Sequence, residues 1–311
     1  MDRPTRIAFL SEHASPVALL GGADAGGQNV YVDEVSRNLA LRGYAVDVFT
    51  RRDNPDAPEI IEWAPGVRVI NLLAGPPQPR PKDELWPFMK ELRDSLLLFA
   101  LHDEVRYDLV HGNFWMSGWV ATELRRLLGI PVVQIFHAMG KTKRRHQKAV
   151  DTSPGDRIQT ELHVIRNVDR LIAQCPSERD ELVNDYGADP HKVVTIPSAV
   201  NTRIFRPIPQ DEARQRIGLD TPDLAIVYVG RLLPRKDVRN IVRALAILVR
   251  QYGWNAEASK QKVSLLIVGG ETVEADPIAT PEIGEVQRLA AELGVTNYIR
   301  FVGKRQQDTL R

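Results

Sequence analysis

The sequence predicts an α/β protein made of two Rossmann-like doubly wound domains facing a cleft, the second domain incomplete. Three observations carry that prediction. Short apolar runs alternate with helical patterns along most of the 311 residues, the signature of parallel βαβ architecture. Two strand-to-helix turns are punctuated by glycine and polar residues. One is Gly21-Gly22-Ala23-Asp24-Ala25-Gly26-Gly27-Gln28-Asn29 after the apolar run at 7–10, and the other is Gly230-Arg231-Leu232-Leu233-Pro234-Arg235-Lys236 after the run at 225–229. Each turn carries the polar groups that a phosphate ester needs. Finally, residues 201–209 contain two prolines and no periodicity, and read as a hinge. Two such units facing each other suggest a cleft for a sugar nucleotide.

The elements follow in order. After the first strand, a helix over about 27–42 places Tyr31, Val35 and Leu39 on one face and stops at Gly43. Strands are expected at 46–49 and 67–70, a Pro-rich loop at 75–81, and a helix near 84–104. The strand at 109–111, a helix from about 117 to 128 and the strand at 132–136 come next. A helix over about 156–167 precedes strands at 171–173 and 192–196. Beyond the hinge, the strand at 225–229 leads to a helix over 236–250 with Val238, Ile241, Val242, Leu245 and Leu248 on one stripe. The strands at 265–268 and 298–302 flank a helix over 283–293. The predicted division is 1–205 for the first domain, 206–223 for a linker and 224–311 for a partial second domain.

Composition narrows the function. With 43% hydrophobic and 26% charged residues, and Lys+Arg 41 against Asp+Glu 40, the net charge of +1 argues against a nucleic acid or anionic membrane partner. No apolar signal core follows the N-terminus, and no stretch approaches the roughly 18 apolar residues of a membrane span, so the expected location is the cytoplasm. The lone Cys175 cannot form an intrachain disulfide, and beside Leu171-Ile172-Ala173 it reads as an inert buried thiol.

Several residues invite a chemical reading. Gly26 and Gly27 at a helix mouth would let a ligand approach the backbone, and the helix N-terminus offers N–H groups to an anion, although any tight turn also favours glycine. The run is not the GxGxxG fingerprint of dinucleotide dehydrogenases. His137 directly follows a strand, where parallel sheets place their ligands, but a structural histidine fits there equally. The basic run Lys141, Lys143, Arg144, Arg145 and Lys148 reads mainly as a solvated face. Arg231 and Lys236, taken alone, read as surface charges. There is no Asp-x-Asp carboxylate pair in the chain, so no metal is expected.

Taken together, the segments 24–32, 48–51, 137–143, 157–161 and 196–201, with Phe205-Arg206-Pro207 and Gly230-Arg231 with Lys236, resemble the retaining glycosyltransferases of family GT4, which have the GT-B fold. The pattern is similar to the group of sucrose-phosphate synthase and sucrose synthase and to the glycosyltransferase of mycothiol synthesis. The resemblance implies transfer of a glycosyl group from a nucleotide diphosphate sugar to a hydroxyl of a small sugar, sugar phosphate or polyol, with no cofactor. It implies that His137 contacts the donor sugar near its reacting carbon. Gly26, Gly27, Arg231 and Lys236 would serve the donor, the two cations neutralising the diphosphate in place of a metal. Gln28, Lys143 and Arg157 would serve the acceptor, the last two at positions that hold its phosphate.

Two departures from the family pattern stand out. Phe114 replaces a tyrosine that often helps to bind the acceptor. The Glu-x7-Glu segment and a final returning helix are not found, and Glu271 lies at a different strand. The chain is therefore expected to be a fragment of a longer enzyme or a shortened relative, weak in turnover by itself, with an uncovered apolar sheet face that favours self-association or another chain. A nucleotide-sugar binding module without turnover and a GT-B epimerase are the alternatives.

Overall fold

The computed structural model describes residues 3–17, 26–219, 223–252, 263–305 and 309–310. Residues 21–25 of the first glycine-rich turn lie outside these. The chain divides into two compact units, changing from one to the other in sequence between Ala199 and Val200.

The first unit runs β1 (Arg6–Leu10), α1 (Gly27–Ala40), β2 (Ala45–Arg51), β3 (Ile60–Ala64), β4 (Val67–Leu72), α2 (Met89–His102), β5 (Leu109–Asn113), α3 (Phe114–Leu128), β6 (Val132–Ile135), α4 (Gly140–Gln147), α5 (Arg157–Asn167), β7 (Arg170–Ala173), α6 (Pro176–Asp180) and β8 (Val193–Thr195). Its eight strands stand in the order β3-β4-β2-β1-β5-β6-β7-β8, parallel throughout except for β3 against β4. Both β1 and β2 are largely apolar because both sheet faces are covered. Ile7, Phe9, Val46 and Val48 pack on one side with Val32 of α1, while Ala8, Leu10 and Phe49 join the larger core beneath α2 and α3. The chain leaves β1 toward β2 and later returns to β5 on its other flank, so strand order reverses between β1 and β5. Ligands of open α/β sheets bind at the carboxyl ends of strands at such a point.

The second unit contains α7 (Gln210–Ile217), β9 (Leu224–Val229), α8 (Val238–Tyr252), β10 (Val263–Val268), α9 (Pro281–Glu292) and β11 (Ile299–Gly303). The parallel order β11-β10-β9 steps in one direction. Right-handed crossovers then put α8 and α9 on the same face. Val238, Val242 and Leu245 of α8 and Ile283 and Val286 of α9 bury Leu265 and Ile267 there. Elsewhere on β9, Val227 and Val229 are each 54% exposed. At the strand ends the backbones touch: a Cβ on Gly269 would lie 1.9 Å from the Gly230 carbonyl oxygen, so only glycine fits.

The structure departs from the sequence reading in several places. β3 is a half-exposed edge strand whose Ile-Ile-Glu-Trp-Ala pattern shows no clean alternation. The basic run forms helix α4, and part of the expected linker forms α7. Lys236 ends a 3-10 turn, Pro234–Lys236, and the left-handed Asp237 separates it from α8, which begins at Val238. Cys175 is exposed, not buried, because β7 ends at Ala173 and Cys175 caps the start of α6.

Inside the first unit, one charged residue interrupts the apolar β2. Asp47 is 1% exposed and accepts bonds from Arg6 (2.9 Å), Tyr107 (2.7 Å) and both Nε and Nη2 of Arg68 (2.8 and 2.9 Å). Burial by itself would raise its carboxyl, but the bonds from Arg68, Tyr107 and Arg6 outweigh it and hold the group below its ordinary value. Asp47→Ala should destabilise the first unit by about 3 kcal/mol in urea denaturation, since it strands partly buried cations. Because the folded value is depressed, the contribution is present above the unfolded carboxyl value of about 3.9 and is lost as pH falls through the lower folded value. A variant within 0.5 kcal/mol of the parent, on the order of a surface substitution, would refute this role.

Candidate active site

At the carboxyl ends of β1, β5 and β6 the first unit gathers a set of polar side chains. Asn113 ends β5 and the next residue, Phe114, has φ 74°; one connection further on, His137 follows β6 with φ 59°. Left-handed backbone at bulky residues costs on the order of 1–3 kcal/mol each and persists only where neighbours enforce it. Gln134, fully buried in β6, supplies part of that enforcement by donating from Nε2 to the Phe114 and Ile135 carbonyls, both at 2.9 Å. Its side chain fits because Gly112 and Gly118 leave room: a Cβ on Gly112 would lie 2.2 Å from Gln134 Oε1.

Asn113 donates from Nδ2 to the Leu10 carbonyl at 3.0 Å, which turns its Oδ1 toward His137 Nε2, also at 3.0 Å. An amide oxygen only accepts, so neutral His137 carries its proton on Nε2. Gln174, whose Oε1 accepts the Ser198 hydroxyl, presents its Nε2 to His137 Nδ1 at 3.4 Å. Tyr31 of α1 sets its ring edge against the imidazole, with centroids 5.0 Å apart. Burial, with smaller contributions from His111 and His13, pushes the His137 pKa down to about 3. Burial likewise lowers His111 to about 3 and raises the Tyr31 phenol to about 12. The site is thus lined by uncharged rings that offer hydrogen bonds without a competing charge.

The predicted residues occupy it unevenly. Gln28, one turn before Tyr31, donates to Ser11 Oγ at 3.1 Å. Among the described residues, a Cβ added at Gly26 or Gly27 would meet nothing within 4 Å. Lys143 and Arg157 are brought together: Lys143 Nζ and Arg157 Nη1 reach the same Ser153 Oγ at 2.9 and 3.2 Å. Neither is bare. Lys143 also pairs with Asp83 (3.1 Å) and Asp151 (3.2 Å). Arg157, expected from its chemistry to present an open fork, is 1% exposed; it bonds Glu161 at 2.9 Å and the Ala138 carbonyl at 2.7 Å, with its guanidinium over the Phe114 ring. Glu161 in turn accepts the Gly140 N–H and the Tyr186 hydroxyl. Arg157 therefore braces the segment between His137 and α4. The other basic residues of α4 are spent locally, Lys141 and Arg145 both on Asp185.

In the second unit, Arg231 follows Gly230 and its carbonyl accepts the Tyr228 hydroxyl at 2.8 Å. Lys236 is exposed and, among the described residues, its side chain makes no hydrogen bond or ion pair. No group of three or more His, Cys, Asp or Glu side chains that could hold a metal ion occurs among the described residues. No helix among them is long and apolar enough to cross a membrane.

Sequence reasoning passed over Asn113, Gln134, Gln174, Ser153 and Glu161. Gln134 alone had a readable signal, a single amide in an otherwise apolar strand. Asn113 and Gln174 acquire their roles only through contacts with His137, distant in sequence, and Glu161 and Ser153 through Arg157, four residues from each.

The histidines give a direct test. Their folded pKa values lie below the unfolded value of about 6.5, so the unfolded chain takes up protons first as pH falls. His111 and His137 should each lower stability by roughly 1.4 kcal/mol per pH unit from about 6.5 downward. In ¹⁵N-histidine NMR both rings should remain neutral at pH 5. Protonation of His137 near pH 6.5 would contradict the buried, uncharged site.

Comparison with known proteins shows the family and the fold. The profile of Glycosyltransferase Family 4 matches residues 25–204, and that of glycosyl transferases group 1 matches residues 209–311. A D-inositol 3-phosphate glycosyltransferase from Acidothermus cellulolyticus is 36% identical over 309 residues, covering 99% of this chain and 67% of the relative. The enzyme of the same name from Kineococcus radiotolerans is 37% identical over 296 residues, covering 92% and 67%. The chain thus spans about two thirds of the length of these relatives. Among solved structures, sucrose-phosphate synthase from Thermosynechococcus elongatus superposes with a TM-score of 0.83 at 28% identity, covering 98% of this chain and 72% of that one. With one profile matching more than half of its residues and relatives over a third identical along nearly all of it, the chain belongs to glycosyltransferase family 4 and has the GT-B fold.

Proposed function

We propose that this protein serves the transfer of a glycosyl group from a nucleotide diphosphate sugar to a hydroxyl of a phosphorylated polyol, with retention of anomeric configuration. D-inositol 3-phosphate, the compound in the names of the relatives, is the acceptor to test first. The observation that carries the reading is the meeting of Lys143 and Arg157 at one hydroxyl oxygen, Ser153 Oγ. Two cations within reach of one oxygen form a place for an oxyanion. Asp83 and Asp151 now supply the negative charge on Lys143, and a phosphate would take it over as the lysine turns from them. Arg157, fixed by Glu161, contributes a donor that needs no rearrangement.

His137 contacts the donor sugar, orienting it and supporting the developing oxocarbenium charge through polar contacts. A neutral ring with its proton fixed on Nε2 suits that task better than proton abstraction. Gly26 and Gly27, with open space where side chains would stand, leave the α1 N-terminus accessible to a ligand, and Gln28 beside them binds an acceptor hydroxyl. In the second unit Arg231 and Lys236 take the diphosphate, so that side-chain cations do the work of a metal. The location proposed for this chemistry is the cytoplasm.

Lys143→Ala should weaken binding of D-inositol 3-phosphate about 10-fold or more in calorimetric titration, the loss of one charged hydrogen bond at roughly 1.5–3 kcal/mol. Binding of unphosphorylated inositol should not change. Equal affinity of the parent protein for inositol and its phosphate would sink the assignment of the acceptor. His137→Ala should lower kcat for the nucleotide sugar that gives the largest thermal shift, while the nucleotide Kd stays within about threefold. Lys236→Ala should do the reverse, and an unchanged Kd for the nucleotide diphosphate would remove Lys236 from the donor site.

A further inference from the structure

Directly after β1 stand two side chains that the reading above leaves unused. Glu12 and His13 have side chains 0% and 9% exposed, and Glu12 Oε1 lies 2.8 Å from His13 Nδ1. The second carboxylate oxygen accepts the hydroxyl of Ser117 on α3, and the Ser117 oxygen accepts the Glu12 backbone N–H at 3.1 Å. This closed loop of bonds leaves Oε1 facing Nδ1. An ionised carboxylate only accepts, so neutral His13 carries its proton on Nδ1 and keeps a lone pair on Nε2. Among the described residues nothing donates a hydrogen bond to that nitrogen.

Its surroundings are those of the candidate site. The His13 ring packs edge-on against Phe114, with centroids 5.0 Å apart, and the same Phe114 ring lies under the Arg157 guanidinium at 5.1 Å. Asn113, the residue before Phe114, holds His137. A nitrogen lone pair at this place attracts a hydroxyl proton and repels a phosphate oxygen. It would therefore distinguish the hydroxyl side of a phosphorylated polyol from its phosphate side.

We propose that His13 is a binding residue for the acceptor, its Nε2 accepting a hydrogen bond from a polyol or sugar hydroxyl, and that Glu12 is the positioning residue that fixes its tautomer. This rests on the reading of the first unit as the acceptor side. The experiment compares D-inositol 3-phosphate with inorganic phosphate in calorimetric titrations of the parent protein, Glu12→Leu and His13→Phe. The phenylalanine keeps the ring contact with Phe114 and guards against misfolding of the Glu12 variant. Both variants should lose at least fivefold in affinity for the inositol phosphate and keep that for inorganic phosphate. In ¹⁵N-histidine spectra, the signal that His13→Phe removes should report a proton on Nδ1 in the parent, and Glu12→Leu, which removes the acceptor, should abolish that fixed tautomer. Variants that bind the inositol phosphate as the parent does, or that lose both ligands equally, would overturn the role of His13 while leaving the proposed function standing. A parent protein that binds neither ligand would overturn both.

Discussion

The site depends on two left-handed backbone turns, Phe114 after β5 and His137 after β6, held in conformations that bulky residues avoid. Gln134 ties the first of them to the end of β6 and Asn113 ties the second to β1, each through a side-chain amide with its donor on a main-chain carbonyl. Phe114 then meets the Arg157 guanidinium over its ring and His13 in a T-shaped contact, while His137 receives Tyr31 and Gln174. Strain, amide brackets and the glycines that make room for Gln134 are parts of one device. A buried amide with three neighbours fixed around it specifies a single arrangement more sharply than apolar packing would.

That device sits where the strand order reverses, and the electrostatics of the two sides differ. Around His137 burial keeps the rings uncharged, so a sugar would meet directional hydrogen bonds without a strong field. Some residues further along the chain, Lys143 and Arg157 meet at Ser153 with their charges balanced by Asp83, Asp151 and Glu161. An anion can replace a carboxylate on a lysine at modest cost because the cation is never left alone. The difference between Lys143, held by partners on loops, and Arg157, locked at 1% exposure into α5 and the Gly140 turn, divides the work into one mobile charge and one fixed donor.

The parallel strands were legible in the sequence because burial on both faces makes them short apolar runs, as at 7–10 and 132–133 with 135–136. β3 was not, since an edge strand half open to solvent loses its alternation. The helix α4 hid behind its own charge: six of its eight residues, Lys141 to Gln147 apart from Thr142, are basic or amide-bearing and carry no apolar stripe. At the site, His137 and the glycines were visible from their places after strands. Arg157 was visible as a cation, but its burial was not, because Glu161 and the Ala138 carbonyl reach it only in the folded chain. Cys175 shows the same limit on a smaller scale: two residues past the strand end, adjacency in sequence to Leu171 and Ala173 no longer implies burial.

The central claim is that a preformed cation pair beside a neutral, tautomer-fixed histidine receives a phosphorylated acceptor. A crystal structure of the protein soaked in D-inositol 3-phosphate tests it most directly. The account predicts the phosphate within hydrogen-bond distance, about 3 Å, of both Lys143 Nζ and Arg157 Nη1, with Lys143 released from Asp83 and Asp151 and the polyol ring turned toward His137. A phosphate bound elsewhere, with the Lys143 ion pairs intact, would contradict it.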